Sequence, residues 1–239
     1  MIDRLLLKLR ARDDVSADEE AILRDSVSAT RDVGADVTVV HADVDLVVST
    51  ILLDGLMCRY KDLQNGERQI TELHVPGDFV DLHSFPLKRL DHNVMSLVPS
   101  RIAIVPHDRI QGITETRPHL TRLLWFMTTL DAAVHREWQL SLGRRTSLAR
   151  IAHMLCELHA RLEIVGMTDG NSYRLPLTQV DLAECLGLTP IHVNRTLREL
   201  RSRNLVTFRS KTVTIADFAG LRQVAEFTPD YLFIEKRPR

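Results

Sequence analysis

A run of arginines on one short helical segment carries the clearest chemistry in this chain. Between Ile191 and Lys211 stand Arg195, Arg198, Arg201, Arg203, Arg209 and Lys211, opposed by the single acid Glu199. A guanidinium presents a fork of N–H donors that suits phosphate oxygens and the O6/N7 edge of guanine, so this concentration points to nucleic acid. The residues around it supply a frame for such contacts. Thr178, followed three residues later by Asp181, reads as a capping box that opens a helix burying Leu182 and Leu186. Ala183 lets two helices cross closely, and Gly187 relieves the backbone at a turn. Thr189 then caps a second helix with Pro190 at its first position. That helix directs Val193, Leu197 and Leu200 inward and leaves Ile191, His192, Asn194, Arg195 and Arg198 on other faces. The spacing predicts a helix-turn-helix, whose second helix fits the DNA major groove with its N-terminal residues at base edges. Residues 204–215 read as two short strands around Arg209-Ser210-Lys211, a basic β-wing beside that helix.

The 239-residue chain has a net charge of −1, which conceals an asymmetry. Residues 1–143 hold 16 Lys+Arg against 22 Asp+Glu, a net −6, whereas residues 144–239 hold 15 against 10, a net +5. One part is thus suited to phosphate and the other is not. The length suggests two domains, and 44% hydrophobic residues suffice for packed cores. No apolar run is long enough to span a bilayer, and Met1-Ile-Asp-Arg lacks a signal-peptide pattern. The three dispersed cysteines, Cys58, Cys156 and Cys185, fit a reducing cytoplasm. Without a nucleophile elbow, P-loop, HExxH or dinucleotide fingerprint, the chain is not expected to be an enzyme, and no catalytic residue is assigned. His153 and Cys156 lie one helical turn apart with His159 on another face, which makes a poor metal site; none is assigned.

Several elements must position the arginines. Residues 5–29 read as helical, broken around Asp13-Asp14. Residues 36–105 change to short apolar segments, starting at Val37, Leu46, Leu56, Gln69, Val94 and Arg101. An Asn65-Gly66 hairpin signal and a Pro76-Gly77-Asp78 turn punctuate them, the pattern of a compact roll or barrel. Beyond Pro118 runs a long helix on which Leu120, Leu124, Met127, Val134, Trp138 and Ser141 fall at four- and three-residue steps, interrupted by Asp131. With no strand pattern to cover it, this stripe predicts a two-helix dimer seam formed by Leu120, Leu124, Met127, Val134 and Trp138. The expected fold class is α+β. A jelly-roll-like β-roll sensor domain with N-terminal helices occupies residues 1–115, a long dimerisation helix and hinge 116–145, and a winged helix-turn-helix domain 146–239.

This order of parts resembles the Crp/Fnr family of bacterial transcription regulators. The resemblance covers nearly the whole chain and is most specific at Pro76-Gly-Asp-Phe79, Ala149-Arg-Ile-Ala152 and residues 177–204. It implies a homodimer on pseudo-palindromic double-stranded DNA, RNA polymerase as a partner, and control by a signal received in the roll. Pro190, Ile191 and Arg195 match the family's base-reading positions, while Thr178, Gln179, Thr189 and His192 match places of phosphate contact. Pro190 and Ile191 depart from the polar pair of the best-known members, which implies a different operator.

The nature of the signal stays open. Members that bind cyclic nucleotides carry a Gly-Glu-Leu-like segment and then Arg-Ser for the cyclic phosphate. Here Asp81 or Leu82 occupies the glutamate region, and no Arg-Ser pair follows Lys88-Arg89. A buried phosphate without a guanidinium is costly to desolvate, which argues against cAMP, with Lys88 and Arg89 as the available substitutes. Three scattered thiols argue against an iron–sulfur cluster. His83 stands where carbon-monoxide-sensing haem regulators of the family place an iron ligand, so a haem-based gas sensor is one alternative. The cysteine and N-terminal proline of those regulators are replaced here by Asp81 and Met1-Ile2. Asp81, His83, Lys88 and Arg89 are therefore the candidate contacts for a small-molecule effector. A further alternative is an effector-binding protein that acts through protein contacts, for which DNA binding would be weak and insensitive to salt.

Overall fold

Ser16 separates α1 (Asp3–Arg12) from α2 (Ala17–Asp25) by capping the second helix. Its hydroxyl accepts from Glu19 N while the Glu19 carboxylate accepts from Ser16 N. The computed structural model describes residues 1–237, and these divide into two units. The first comprises Met1–Lys61, Leu73–Ala133 and the tail from Phe233; the second comprises Asp62–Glu72 and Val134–Leu232.

The roll is built from β1 (Ala29–Val33), β2 (Val37–Val40), β3 (Val48–Asp54), β4 (Met57–Asp62), β5 (Arg68–His74), β6 (Asn93–Ser96) and β7 (Ser100–Pro106). Short helix α3 (Ser84–Leu87) precedes β6, and α4 (His107–Thr116) follows β7. Two sheets result, ordered β1-β7-β3 and β2-β6-β4-β5. The alternation of strand side chains divides the first sheet between two cores. Leu52 and Ile102 meet Val40, Met57 and Val94 of the second sheet. Their neighbours Ile51 and Ala103 face the other way, onto Leu5, Leu6 and Leu9 of α1, Ile110 and Ile113 of α4, and the start of α5 (Pro118–Arg144). Gly77, at the turn after β5, has φ 95°, and a Cβ there would lie 2.8 Å from the Arg4 carbonyl carbon. Only glycine allows that close approach.

Three expectations change. The segment read as helical through residue 29 ends at Asp25, and Ala29 begins an edge strand whose first four residues are exposed, so it shows no apolar alternation. Leu46 and Val47 precede β3 rather than joining it. The α5 stripe assigned to a dimer seam is largely occupied within one chain. Leu120 and Leu124 are buried in the helix-covered core with Met127 packed against it. Val134 is buried, and so is Trp138, whose Nε1 donates to Glu157. The cover comes from helices and the outer face of the β1-β7-β3 sheet, which a search for a strand pattern alone does not reveal. Asp131, the interruption, accepts from the buried Arg59 Nη2 at 2.8 Å. In the first unit α5 leaves exposed Arg122, Trp125, Thr129 and Ala132, again at three- and four-residue steps.

The second unit continues with α6 (Ser147–Ile164), β8 (Thr168–Asp169), β9 (Ser172–Arg174), α7 (Gln179–Leu186), α8 (Pro190–Ser202), β10 (Val206–Arg209), β11 (Thr212–Ile215) and α9 (Phe218–Ala225). Its sheet is ordered β10-β11-β9-β8. The wing hairpin turns through Ser210 and Lys211, both at positive φ (50° and 62°), the handedness that matches strand twist in a two-residue loop. Within α6 the fully buried Glu157 accepts from Trp138 Nε1, Arg161 Nη1 and Tyr231 Oη, so its charge is paired and hydrogen-bonded.

Candidate nucleic-acid interface

The corner between α7 and α8 is fixed by local chemistry. Thr178 Oγ1 accepts from Asp181 N, and the Asp181 carboxylate accepts from Thr178 N. Helix α7 stops at Gly187, which sits at φ 60° and donates its N–H to Ala183 O. Carbonyls left over at that helix end find side-chain donors: Arg150 Nη1 bonds Leu186 O, and Gln69 Nε2 bonds Glu184 O. Thr189 Oγ1 accepts from His192 N to start α8, with Pro190 at its first position. Val193, Thr196 and Leu200 form the buried face, while Leu197 is only half-buried. Thr196 takes the inward place expected of Leu197 because its hydroxyl donates to His192 O within the helix.

The opposite face of α8 is open. Arg195 and Arg198 are exposed, Asn194 is half-buried, and Ile191 is 84% exposed, so packing within the chain does not account for Ile191. Thr178, Gln179, Thr189, Arg209 and Lys211 are exposed as well. Thr178 and Thr189 spend an acceptor lone pair on their caps and keep an O–H donor for a phosphate oxygen. His192, expected at a phosphate, has its Nε2 engaged instead by Ser147 Oγ and Arg195 Nη2, each at 3.0 Å. Ser147 carried no signal in the sequence, since its partner lies 45 residues away.

The four candidate effector contacts are not gathered. Asp81 is 1% exposed; its Oδ1 accepts from Thr50 N at 2.5 Å, and its Oδ2 has no partner. Burial pushes its carboxyl up to about 7, against the pull of the Thr50 amide and the Arg59 charge. His83 is half-buried and stacks on His92 with ring centroids 5.2 Å apart. Lys88 lies at the surface over the Phe85 ring, and the exposed Arg89 pairs with Asp45. The two cations proposed to stand in for an Arg-Ser pair are thus engaged on the outside. Arg59 of β4, 2% exposed, is a cation held inside the roll; it donates from Nε to Val80 O and from Nη2 to Asp131. The apolar context of Met57-Cys58 gave no hint of it.

Residues 149–224 match the Crp-like helix-turn-helix domain. The transcriptional activator protein FnrL of Cereibacter sphaeroides is 27% identical over 186 residues, spanning 76% of this chain and 73% of that protein. The transcriptional activator protein FnrA of Stutzerimonas stutzeri is 26% identical over 171 residues, 72% of this chain and 70% of its own length. Among solved structures, FixK2 from Bradyrhizobium japonicum superposes with a TM-score of 0.76 at 22% identity, covering 84% of this chain and 98% of that one. An arginine-faced helix capped for a groove, a hairpin wing and a β-roll joined by a long helix all fit these relatives. The chain is a DNA-binding transcription regulator that carries a Crp-like helix-turn-helix domain and is similar to Fnr-type transcriptional activators over most of its length.

Proposed function

We propose that the protein acts as a homodimer on pseudo-palindromic DNA, placing two α8 helices in successive major grooves about 34 Å apart. The observation that carries this reading is the exposed face of Ile191, Arg195 and Arg198, set on a helix whose other face is buried by Val193, Thr196 and Leu200. Arg195 reads a guanine, while Thr178, Gln179, Thr189, Arg209 and Lys211 hold phosphates and set register. The exposed α5 face of Arg122, Trp125, Thr129 and Ala132 forms the seam between copies. Activity is modulated through the roll by an effector, and the Arg59–Asp131 pair, which joins β4 to α5, is the contact best placed to carry that signal. RNA polymerase is the partner through which the bound dimer acts, and the protein works in the cytoplasm.

The test is binding to an operator selected from random duplexes, followed as salt is raised. Affinity for all DNA should fall steeply with salt, because each phosphate contact releases counterions. Arg195→Ala should weaken operator binding by roughly 5- to 150-fold for each half-site and random-duplex binding far less. Equal losses on both would remove its base-reading role.

A further inference from the structure

Arg195 is not left to find its base unaided: two neighbouring side chains hold it. Its Nη2 lies 3.0 Å from His192 Nε2, and that same nitrogen lies 3.0 Å from Ser147 Oγ. A guanidinium has no acceptor, so Arg195 must donate and Nε2 must carry no proton. With the ring hydrogen on Nδ1, the single Nε2 lone pair is shared between the Arg195 N–H and the Ser147 hydroxyl in a three-centre hydrogen bond. The imidazole is itself fixed from below: His192 N is held by the Thr189 cap, and His192 O receives the Thr196 hydroxyl. Ser147 is the first residue of α6, immediately after the helix cap Thr146. A chain of three side chains therefore runs from the start of α6 to the exposed arginine of α8.

We propose that His192, braced by Ser147, is a positioning residue that presents the Arg195 guanidinium to its base. This inference rests on the reading of α8 as the base-reading helix. A free arginine side chain loses much rotamer freedom when it is fixed on a base edge. Holding one of its five N–H groups beforehand removes part of that cost and leaves the remaining donors for guanine O6 and N7. The role differs from a phosphate contact in what it predicts. A phosphate contact changes affinity for every duplex alike, whereas a brace on Arg195 changes discrimination.

The full-length protein, its His192→Ala, Ser147→Ala, Ser147→Thr and Arg195→Ala variants, and the His192→Ala/Arg195→Ala double variant test the brace. The quantity read is the ratio of affinity for the selected operator to affinity for the same duplex with the Arg195-dependent base pair exchanged. Random-duplex affinity and the thermal unfolding midpoint serve as controls for folding. His192→Ala should lower the ratio roughly 3- to 10-fold with random-duplex affinity unchanged. Ser147→Ala should reproduce part of that loss, and Ser147→Thr, which keeps the hydroxyl, should restore it. The double variant should be no less discriminating than Arg195→Ala alone, because the histidine then has nothing to position. An unchanged ratio in His192→Ala, or losses that simply multiply in the double variant, overturns the brace while leaving Arg195 as a base reader. Equal loss on operator and random duplex assigns His192 to a phosphate and also overturns it. If Arg195→Ala itself leaves the ratio untouched, the base-reading role of α8 fails and the brace with it.

Discussion

Asp81 is a carboxyl group placed where its charge is poorly supported. One oxygen receives the Thr50 amide, the other has no partner, and the residue is 1% exposed. Its pKa rises from the ordinary 3.8 to about 7 on folding, chiefly through burial. The folded chain therefore holds a proton that the unfolded chain has released between about pH 4 and pH 7. The stabilisation is fully present below that window and is lost as the pH rises through it. Relative to Asp81→Asn, the unmodified protein should lose on the order of a few kcal/mol between those limits, read from urea unfolding at several pH values. Parallel pH curves for the two proteins would show that Asp81 ionises normally. Single residues differed in how legible they were. Arg195 and Arg198 could be placed at the surface from helical spacing within a dozen positions. Arg59 and Ser147 could not, because each takes its meaning from a partner 72 or 45 residues away.

Helices α7 and α8 were readable because their caps, turn glycine and N1 proline all act within four residues, and the caps observed at Thr178 and Thr189 are the ones the spacing implied. The long helix α5 was readable as a helix but not in what it packs against. A four-and-three stripe describes burial, and burial against a sheet face looks the same in sequence as burial against a second copy. The two roles separate by mutation. Leu120, with no exposed surface, lies in the cluster with Leu5, Leu6 and Ile110. Leu120→Ala should cost about 2–5 kcal/mol in chemical unfolding, with the protein still sedimenting as the species the parent forms. A stable variant that falls apart into single chains would instead return Leu120 to the seam. Strand β1 shows the complementary failure: its exposed edge carries no alternation, and only pairing with β7 makes it a strand.

At the scale of the molecule, the basic half of the chain is the half that contains the Crp-like helix-turn-helix domain, with α8 and the wing within it. The surface proposed between copies lies on a different face of α5 from the stripe that the spacing picked out. Trp125 is 68% exposed and borders a cavity of about 280 Å³ lined also by Arg12, Arg122, Phe126 and Thr129. An indole left in water beside an apolar hollow is the feature a twofold partner would cover. Trp125→Glu should shift the protein to single chains in sedimentation at micromolar concentration and abolish tight operator binding, since one half-site alone holds weakly. Unaltered sedimentation would move the seam elsewhere.

Arg150 gives the second unit a point of shared tenancy. Its guanidinium serves Leu142 O and Arg145 O near the end of α5 and Leu186 O at the close of α7. Three backbone oxygens, one in α5, one just past its end and one in α7, thus answer to a single planar group, and lysine, carrying the same charge without the fork, has no way to reach all of them. What must persist at this position is shape. A replacement that looks harmless by charge would untie the last turn of the long helix and the helix-turn-helix corner in the same stroke.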